Sequence, residues 1–373
     1  MKTTLILSVA FAALTLAEAK GAGVDGIEPQ PLDAHMRVYR DLAYGPRGDL
    51  KEDLERLPVL KDQPKFTHTH RSGQLFDLYL PDAPGAVPAD APVLLFLHGG
   101  GWCMRWDKDS DGIGIIKALC AKGFVVCSAD YQLQNDAISD ANATCRPDAT
   151  FADMLRDIDL AVSHLKTFLP EVGVRPRRIG IAGCSAGGHL ASTYACDEGN
   201  PTWLGLGLKH ALKIGYVLDI VGPVNFLTAE TGQMLLKSVQ TFAATGVKMK
   251  APGKPSIIAK ERFVSLLEWL TATDFDAAYR AGGDAEVLNV LYRWSPVAMV
   301  TPKTPPFLLA YNKLHPFSGT DGLVETANCE DMAAALGRVG VECRVRYNWF
   351  RFHGMFSDRH IAWMVENCLE LAK

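Results

Sequence analysis

The sequence predicts an α/β fold: a mostly parallel central sheet with helices on both faces and a helical lid-like insertion. Six short apolar runs bounded by Gly, Pro or Asp read as buried strands: Val93 to Leu97, Phe124 to Ala129, Arg178 to Ala182, Tyr216 to Val221, Phe307 to Tyr311 and Val341 to Tyr347. Between the second and third, Leu155, Ile158, Val162, Leu165 and Phe168 recur at three- and four-residue steps. Residues 151–169 are therefore an amphipathic helix and complete a strand-helix-strand crossover. Two of the runs end in glycine-rich segments, a third sign of strands that stop at a working edge of the sheet.

From the N-terminus, Met1-Lys2-Thr3-Thr4 leads into an uncharged stretch that ends at Ala17-Glu18-Ala19. A basic start, an apolar run and a small-x-small site in that order predict an export signal over residues 1–19, cleaved after Ala19. The run from Thr3 to Ala17 is 15 residues, short of the roughly 20 that span a bilayer. The expected mature protein, residues 20–373, has no membrane span and is secreted or periplasmic. Arg37 to Tyr44 and Leu75 to Leu80 alternate as antiparallel edge strands do, around a polar stretch from Gly45 to Lys65. A longer interruption, residues 227–293, carries helical spacing (Leu235, Val239, Phe242; Phe263, Leu266, Leu267, Leu270) and no strand, the pattern of a lid or binding element.

Composition narrows the function. The chain is 48% hydrophobic and 21% charged, with 38 Lys and Arg against 42 Asp and Glu, the balance of a globular protein. Its net charge of −4, without a block of five like charges, disfavours a nucleic-acid partner. Nine cysteines leave at least one thiol unpaired in a monomer, and none forms a CxxC pair of the zinc or redox kind. Neither a metal nor an organic cofactor is expected.

Gly183-Cys184-Ser185-Ala186-Gly187-Gly188 follows the run Ile179 to Ala182 and precedes a helix-compatible segment. A GxSxG in that setting is a nucleophile elbow: the sharp turn pushes the Ser185 hydroxyl clear of the backbone, and the helix start behind it offers the Ala186 amide to an oxyanion. His98-Gly99-Gly100-Gly101-Trp102 follows Val93 to Leu97, and its side-chain-free residues let the amides of Gly100 and Gly101 approach a substrate oxygen. No GxGxxG or P-loop pattern offers a phosphate-binding alternative.

With these motifs the chain resembles the α/β-hydrolases of the hormone-sensitive-lipase-like and bacterial acetyl- or feruloyl-esterase-like group. The resemblance runs from about Arg37 to the C-terminus and includes Phe76-Asp77-Leu78-Tyr79-Leu80-Pro81, Asp130-Tyr131, Ser295-Pro296 and Pro305-Pro306-Phe307-Leu308-Leu309. It implies the α/β-hydrolase fold and cleavage of carboxylic esters, with short-acyl or aryl esters, such as acetyl or feruloyl groups on polysaccharide, as the substrate class. An amidase, formamidase or lipase would use the same triad, and a binding module on the same fold would lack a working one.

A serine of this kind needs a base and an orienting carboxylate, in the chain order Ser, acid, His. His353, in Phe352-His353-Gly354, occupies the position that the resemblance assigns to the base. For the acid the choice is Asp321, which follows the run Phe307 to Tyr311 and lies 32 residues before His353, with Glu325 and Asp331 as fallbacks. Relatives place the acid only a few residues past that strand, so residues 312–318 read as an insertion. They also carry Asp or Glu where this chain has Cys184, which the elbow turns into the protein. Trp102 is expected in the substrate pocket, His189 beneath the site, and His360 in a packing or surface role.

Overall fold

In the computed structural model, residues 29–33, 36–45, 74–82, 87–103, 108, 112–133, 149–245, 260–313, 326–348 and 356–373 are described. The apolar runs are strands of one nine-stranded sheet. In chain order these are β1 (Gln30–Asp33), β2 (Met36–Ala43), β3 (Leu75–Pro81), β4 (Val93–Leu97), β5 (Val125–Ala129), β6 (Ile179–Cys184), β7 (Ile214–Ile220), β8 (Phe307–Asn312) and β9 (Cys343–Asn348). They lie in the order β1-β2-β3-β5-β4-β6-β7-β8-β9. Pairing is antiparallel from β1 through β3 to β5 and parallel from β5 to β9. β4 through β8 are buried along their whole length, so both faces of this part of the sheet are covered. Strand β1 has no counterpart among the predicted runs: four residues, Gln-Pro-Leu-Asp, are too few to show alternation.

The described helices are α1 (Ile113–Cys120), α2 (Phe151–Phe168), α3 (Ala186–Gly199), α4 (Ala229–Thr245), α5 (Lys260–Thr271), α6 (Phe275–Arg293), α7 (Pro296–Met299), α8 (Thr326–Arg338) and α9 (Asp358–Ala372). The predicted crossover helix is α2, and it starts where a capping box dictates. Thr150 accepts from the Asp153 amide, while Asp153 accepts from the Thr150 amide (3.0 Å) and hydroxyl (2.8 Å). Helices α1 and α9 pack together on one face; α2, α3, α7 and α8 cover the other. Strand alternation separates the two layers within β7: Tyr216 reaches Cys368 of α9, whereas Asp219 meets the first turn of α3. The described part of residues 227–293 is helical, as its spacing predicts, with Val239, Leu266, Leu267 and Leu270 buried. Helix α6 breaks at Gly283, whose φ of 66° is not helical.

A buried ionic network ties the antiparallel edge to the segment after the first glycine-rich motif. Asp77 of β3 is fully buried and meets Arg40 Nη1 at 2.9 Å and Lys108 Nζ at 3.0 Å. Lys108, itself buried, also reaches Asp41 at 2.9 Å. The Lys108 amide donates to Asp130 at 2.7 Å, and the Ser128 hydroxyl donates to the Lys108 carbonyl at 2.9 Å. Removing one member of such a network strands the others in a low-dielectric interior. Asp77→Ala should therefore cost about 3–5 kcal/mol of stability, the range for a broken buried pair. Urea unfolding measures it, and a loss near zero would show that Arg40 and Lys108 find water instead.

Candidate active site

All six residues of β6 are buried, and the chain then turns abruptly into α3 through Ser185. At φ 53° and ψ −116°, Ser185 occupies a region that L-residues avoid, a cost of about 1–3 kcal/mol that its surroundings must hold in place. Two backbone bonds do so: the Ser185 amide donates to the Ile220 carbonyl of β7 (2.8 Å), and its carbonyl accepts from the His189 amide (3.0 Å). From Ile179 to Asp197, Ser185 alone is not buried. The sharp turn thus presents one hydroxyl from an otherwise closed stretch of chain. Cys184 remains buried as the last residue of β6, paired in register with Ile220.

Glycine is required next to Ser185 because the first turn of α3 lies against other backbone. A Cβ at Gly187 would fall on the carbonyl oxygens of Leu97 and His98, at the end of β4. A Cβ at Gly188 would fall on Oδ1 of Asp219. The absent side chains let the first turn of α3 pack against the end of β4, where the loop that starts at His98 begins. In that loop Gly100 and Gly101 have φ of 102° and 56°, and Trp102 follows at 61°.

The loop is held from behind. The His98 ring is buried and stacks on Tyr131, with centroids 4.3 Å apart and planes 8° from parallel. Tyr131 donates its hydroxyl hydrogen to the His98 carbonyl at 2.8 Å, and His98 Nδ1 lies 2.8 Å from the Gly99 carbonyl. Trp102, expected in the pocket, is 2% exposed and packs edge-on against Phe151 and His189 and near Phe226. His189 does lie beneath the turn. It is fully buried among these rings, with Nε2 2.9 Å from the Trp294 carbonyl, and burial pulls its pKa down to about 4, against the opposing pull of that hydrogen bond. It is therefore neutral and packs rather than moves protons.

His353, Asp321 and Glu325 fall outside the described residues. Asp331, the other fallback acid, lies in α8 and accepts from the Asn225 side chain at 2.7 Å, while Asn328 accepts the Asn225 amide at 2.7 Å. These bonds, with the Ser295 hydroxyl accepting the Phe226 amide (2.9 Å), fasten the segment after β7. His360 sits between Ser357 (2.7 Å) and the Tyr347 carbonyl (3.1 Å) at the start of α9, a packing role as expected. Among the described residues, Glu268, Asp274 and Asp276 bring carboxylate oxygens within 4.8 Å of one another. Two of them serve the start of α6, Glu268 accepting the Phe275 amide (3.1 Å) and Asp274 the Ala277 amide (2.9 Å). Cys127, Cys196, Cys329, Cys343 and Cys368 are free thiols. Sequence reasoning missed Asp219 and the bracing role of Tyr131. The signals were present: a lone acid inside a buried run, and a tyrosine directly after one.

Comparison with known proteins agrees with this architecture. The BD-FAE family model matches residues 76–252, which include both glycine-rich motifs. Esterase LipC of Mycobacterium tuberculosis is 27% identical over 113 residues, 30% of this chain and 25% of LipC. Carboxylesterase NlhH of the same organism is 30% identical over 121 residues, 32% of this chain and 34% of NlhH. The chain thus spans about a quarter to a third of the length of these relatives. Among solved structures, a truncated form of a carbohydrate esterase from gut microbiota superposes with a TM-score of 0.59 at 15% identity, covering 92% of this chain and 99% of that one. Esterase B from Lactobacillus rhamnosis gives 0.57 at 17% identity, covering 99% and 95%. The shared fold is the α/β-hydrolase fold.

The close approach at Gly187 makes a stability prediction. Gly187→Ala places a methyl group on backbone oxygens that cannot move aside and should destabilise by at least the 1–3 kcal/mol of an overpacked core. Gly337→Ala in α8, where nothing lies within 4 Å of the new Cβ, should be neutral or stabilising by about 0.5–1 kcal/mol. Thermal unfolding of the two variants reads the contrast.

Proposed function

We propose that this chain of α/β-hydrolase fold is an exported serine hydrolase that cleaves carboxylic esters. The observation that carries the reading is Ser185: a strained residue, the one in its stretch that is not buried, on a strand-to-helix turn beside a glycine-rich loop. Ser185 Oγ attacks the ester carbonyl carbon, and His353 takes the hydroxyl proton as that bond forms. Asp321 holds the imidazole in the required tautomer and stabilises its charged form. The amides of Gly100, Gly101 and Ala186 receive the negative charge that develops on the carbonyl oxygen. Collapse of the tetrahedral species breaks the bond to the alcohol, which leaves with the proton from His353. A water molecule, deprotonated by the same imidazole, then releases the acid and restores Ser185.

Trp102 and the helical insertion 227–293 shape the pocket, Trp102 from below, since its ring is buried against Phe151, His189 and Phe226. Residues 1–19 direct export; among the described residues no helix is long and apolar enough to cross a membrane. Short-acyl or aryl esters, including acetyl or feruloyl groups on polysaccharide, are the proposed substrates. The likeness to a carbohydrate esterase over nearly the whole fold supports that class.

Hydrolysis of p-nitrophenyl esters from acetyl to palmitoyl, beside acetylated xylan and methyl ferulate, tests the reading with residues 20–373. Activity should be greatest on the acetyl or feruloyl substrates, and Ser185→Ala should lower kcat by about 10⁶-fold, the scale for loss of a triad serine. Equal inertness of both proteins across the panel would sink it. Tyr131→Phe should lower kcat by roughly 10- to 100-fold, with KM little changed, because the oxyanion loop loses its hydrogen bond to the His98 carbonyl. An unchanged kcat would show that the stacked His98 ring alone holds the loop.

A further inference from the structure

Asp219 lies near the end of β7 and has no part in the chemistry above. It is fully buried, and no cation contacts it among the described residues. Its Oδ1 accepts the Gly222 amide at 2.9 Å, and its Oδ2 lies 2.8 Å from the hydroxyl of Tyr311 in β8. The same hydroxyl is within hydrogen-bonding reach of the Gly222 carbonyl. A tyrosine hydroxyl has one hydrogen and cannot donate to both oxygens. If it serves the carboxylate, the Gly222 carbonyl faces a bare oxygen and a charge stays uncompensated in an apolar interior. If it serves the carbonyl, Asp219 Oδ2 must carry a hydrogen of its own.

The second arrangement closes a circuit in which every hydrogen has one acceptor: Asp219 Oδ2–H to Tyr311 Oη, Tyr311 Oη–H to the Gly222 carbonyl, and the Gly222 amide back to Asp219 Oδ1. That circuit lies against the elbow. A Cβ on Gly222 would sit 2.8 Å from the Gly188 carbonyl carbon, and the Ser185 amide bonds to the carbonyl of Ile220, the residue after Asp219. The bend from 219 to 222 is the wall on which the first turn of α3 rests.

We propose that Asp219 is a positioning residue for Ser185, acting as a neutral carboxylic acid whose hydrogen completes the circuit with Tyr311 and Gly222 and fixes that bend. The proposal rests on the reading of Ser185 as the nucleophile. Burial raises the Asp219 pKa from 3.8 to about 7, against the opposing pull of its two hydrogen bonds. Among the described residues, the ionisable groups facing it are Tyr311 of β8, Cys329 of α8 and Cys343 of β9, with Tyr347 of β9 beyond Tyr311. Burial pushes each above its ordinary value, and His189 of α3 is neutral, so none supplies a positive charge near neutral pH.

The unfolded chain loses this proton near pH 4 and the folded chain near pH 7. Between those values the folded state holds more protons, so this group lowers stability as pH rises, and its effect levels off above about pH 7. An asparagine reproduces the neutral donor and does not titrate.

Urea unfolding of the unsubstituted chain, Asp219→Asn and Asp219→Ala from about pH 4 to pH 9, with kcat and KM on p-nitrophenyl acetate, tests the proposal. The stability of Asp219→Asn relative to the unsubstituted chain should increase from about pH 4 to pH 7 and then stay constant. Asp219→Ala should lose about tenfold or more in kcat with KM nearly unchanged, and Asp219→Asn should recover most of that loss. A stability difference that is flat with pH, or an asparagine variant as impaired as the alanine one, overturns the proposal. Should the variants not fold, infrared spectra of the unsubstituted chain decide: a protonated-carboxyl band that persists at about pH 6 and disappears near pH 7 supports it, and loss of all such absorption by pH 6 overturns it. An unsubstituted chain that hydrolyses no ester counts against the nucleophile reading, while unfolding and infrared still decide the protonation of Asp219.

Discussion

The architecture of the site depends on one close approach, that of the first turn of α3 to the ends of β4 and β7. Gly187 lies against the carbonyls of Leu97 and His98, and Gly188 lies against Asp219, so the helix start is wedged between two neighbouring segments of the sheet. The wedge forces Ser185 into its unfavourable backbone region and keeps it there, through bonds to Ile220 and His189. It also packs the first turn of α3 against the carbonyls of Leu97 and His98, where the glycine-rich loop begins. A side chain at either glycine would part the elements and release the strain that projects the serine.

Around this wedge the protein spends burial rather than charge. His189 is a titratable group fully enclosed by aromatic rings, and desolvation holds it neutral at any pH where an imidazole base would work. The rings of Trp102, Phe151, Phe226 and Trp294 join the glycine-rich loop after β4, the start of α2, the segment after β7 and the end of α6 in one packed layer. Charges are grouped elsewhere: Asp77, Lys108, Arg40 and Asp41 form their network at the antiparallel edge, where each has an opposite partner. The supports of the turn are thus apolar packing and backbone hydrogen bonds, neither of which is screened by salt.

Much of this was legible in the sequence because the signals were local. Residues 179–188 carry strand, turn and helix start in ten positions, and the apolar runs of β4 to β8 need no knowledge of their neighbours to be read as buried. Edges were less legible: β6 runs to Cys184 rather than Ala182, since Gly183 and Cys184 lack the apolar bulk that marks a strand and extend by pairing with Asp219 and Ile220. The supporting roles of Tyr131 and Asp219 were not legible at all, because each depends on a partner 33 or 92 residues away that only the folded sheet brings into contact. The fallback acid Asp331 shows the converse. Its place in the chain order qualifies it, yet the fold gives it to Asn225.

Covalent labelling tests, without knowledge of the natural substrate, whether the hydroxyl of the strained, half-buried Ser185 is an activated nucleophile. A fluorophosphonate reacts with activated serines and spares ordinary ones. A single adduct per chain is expected, mapped by peptide mass spectrometry to Ser185. An unlabelled chain, or an adduct on any other residue, would contradict it.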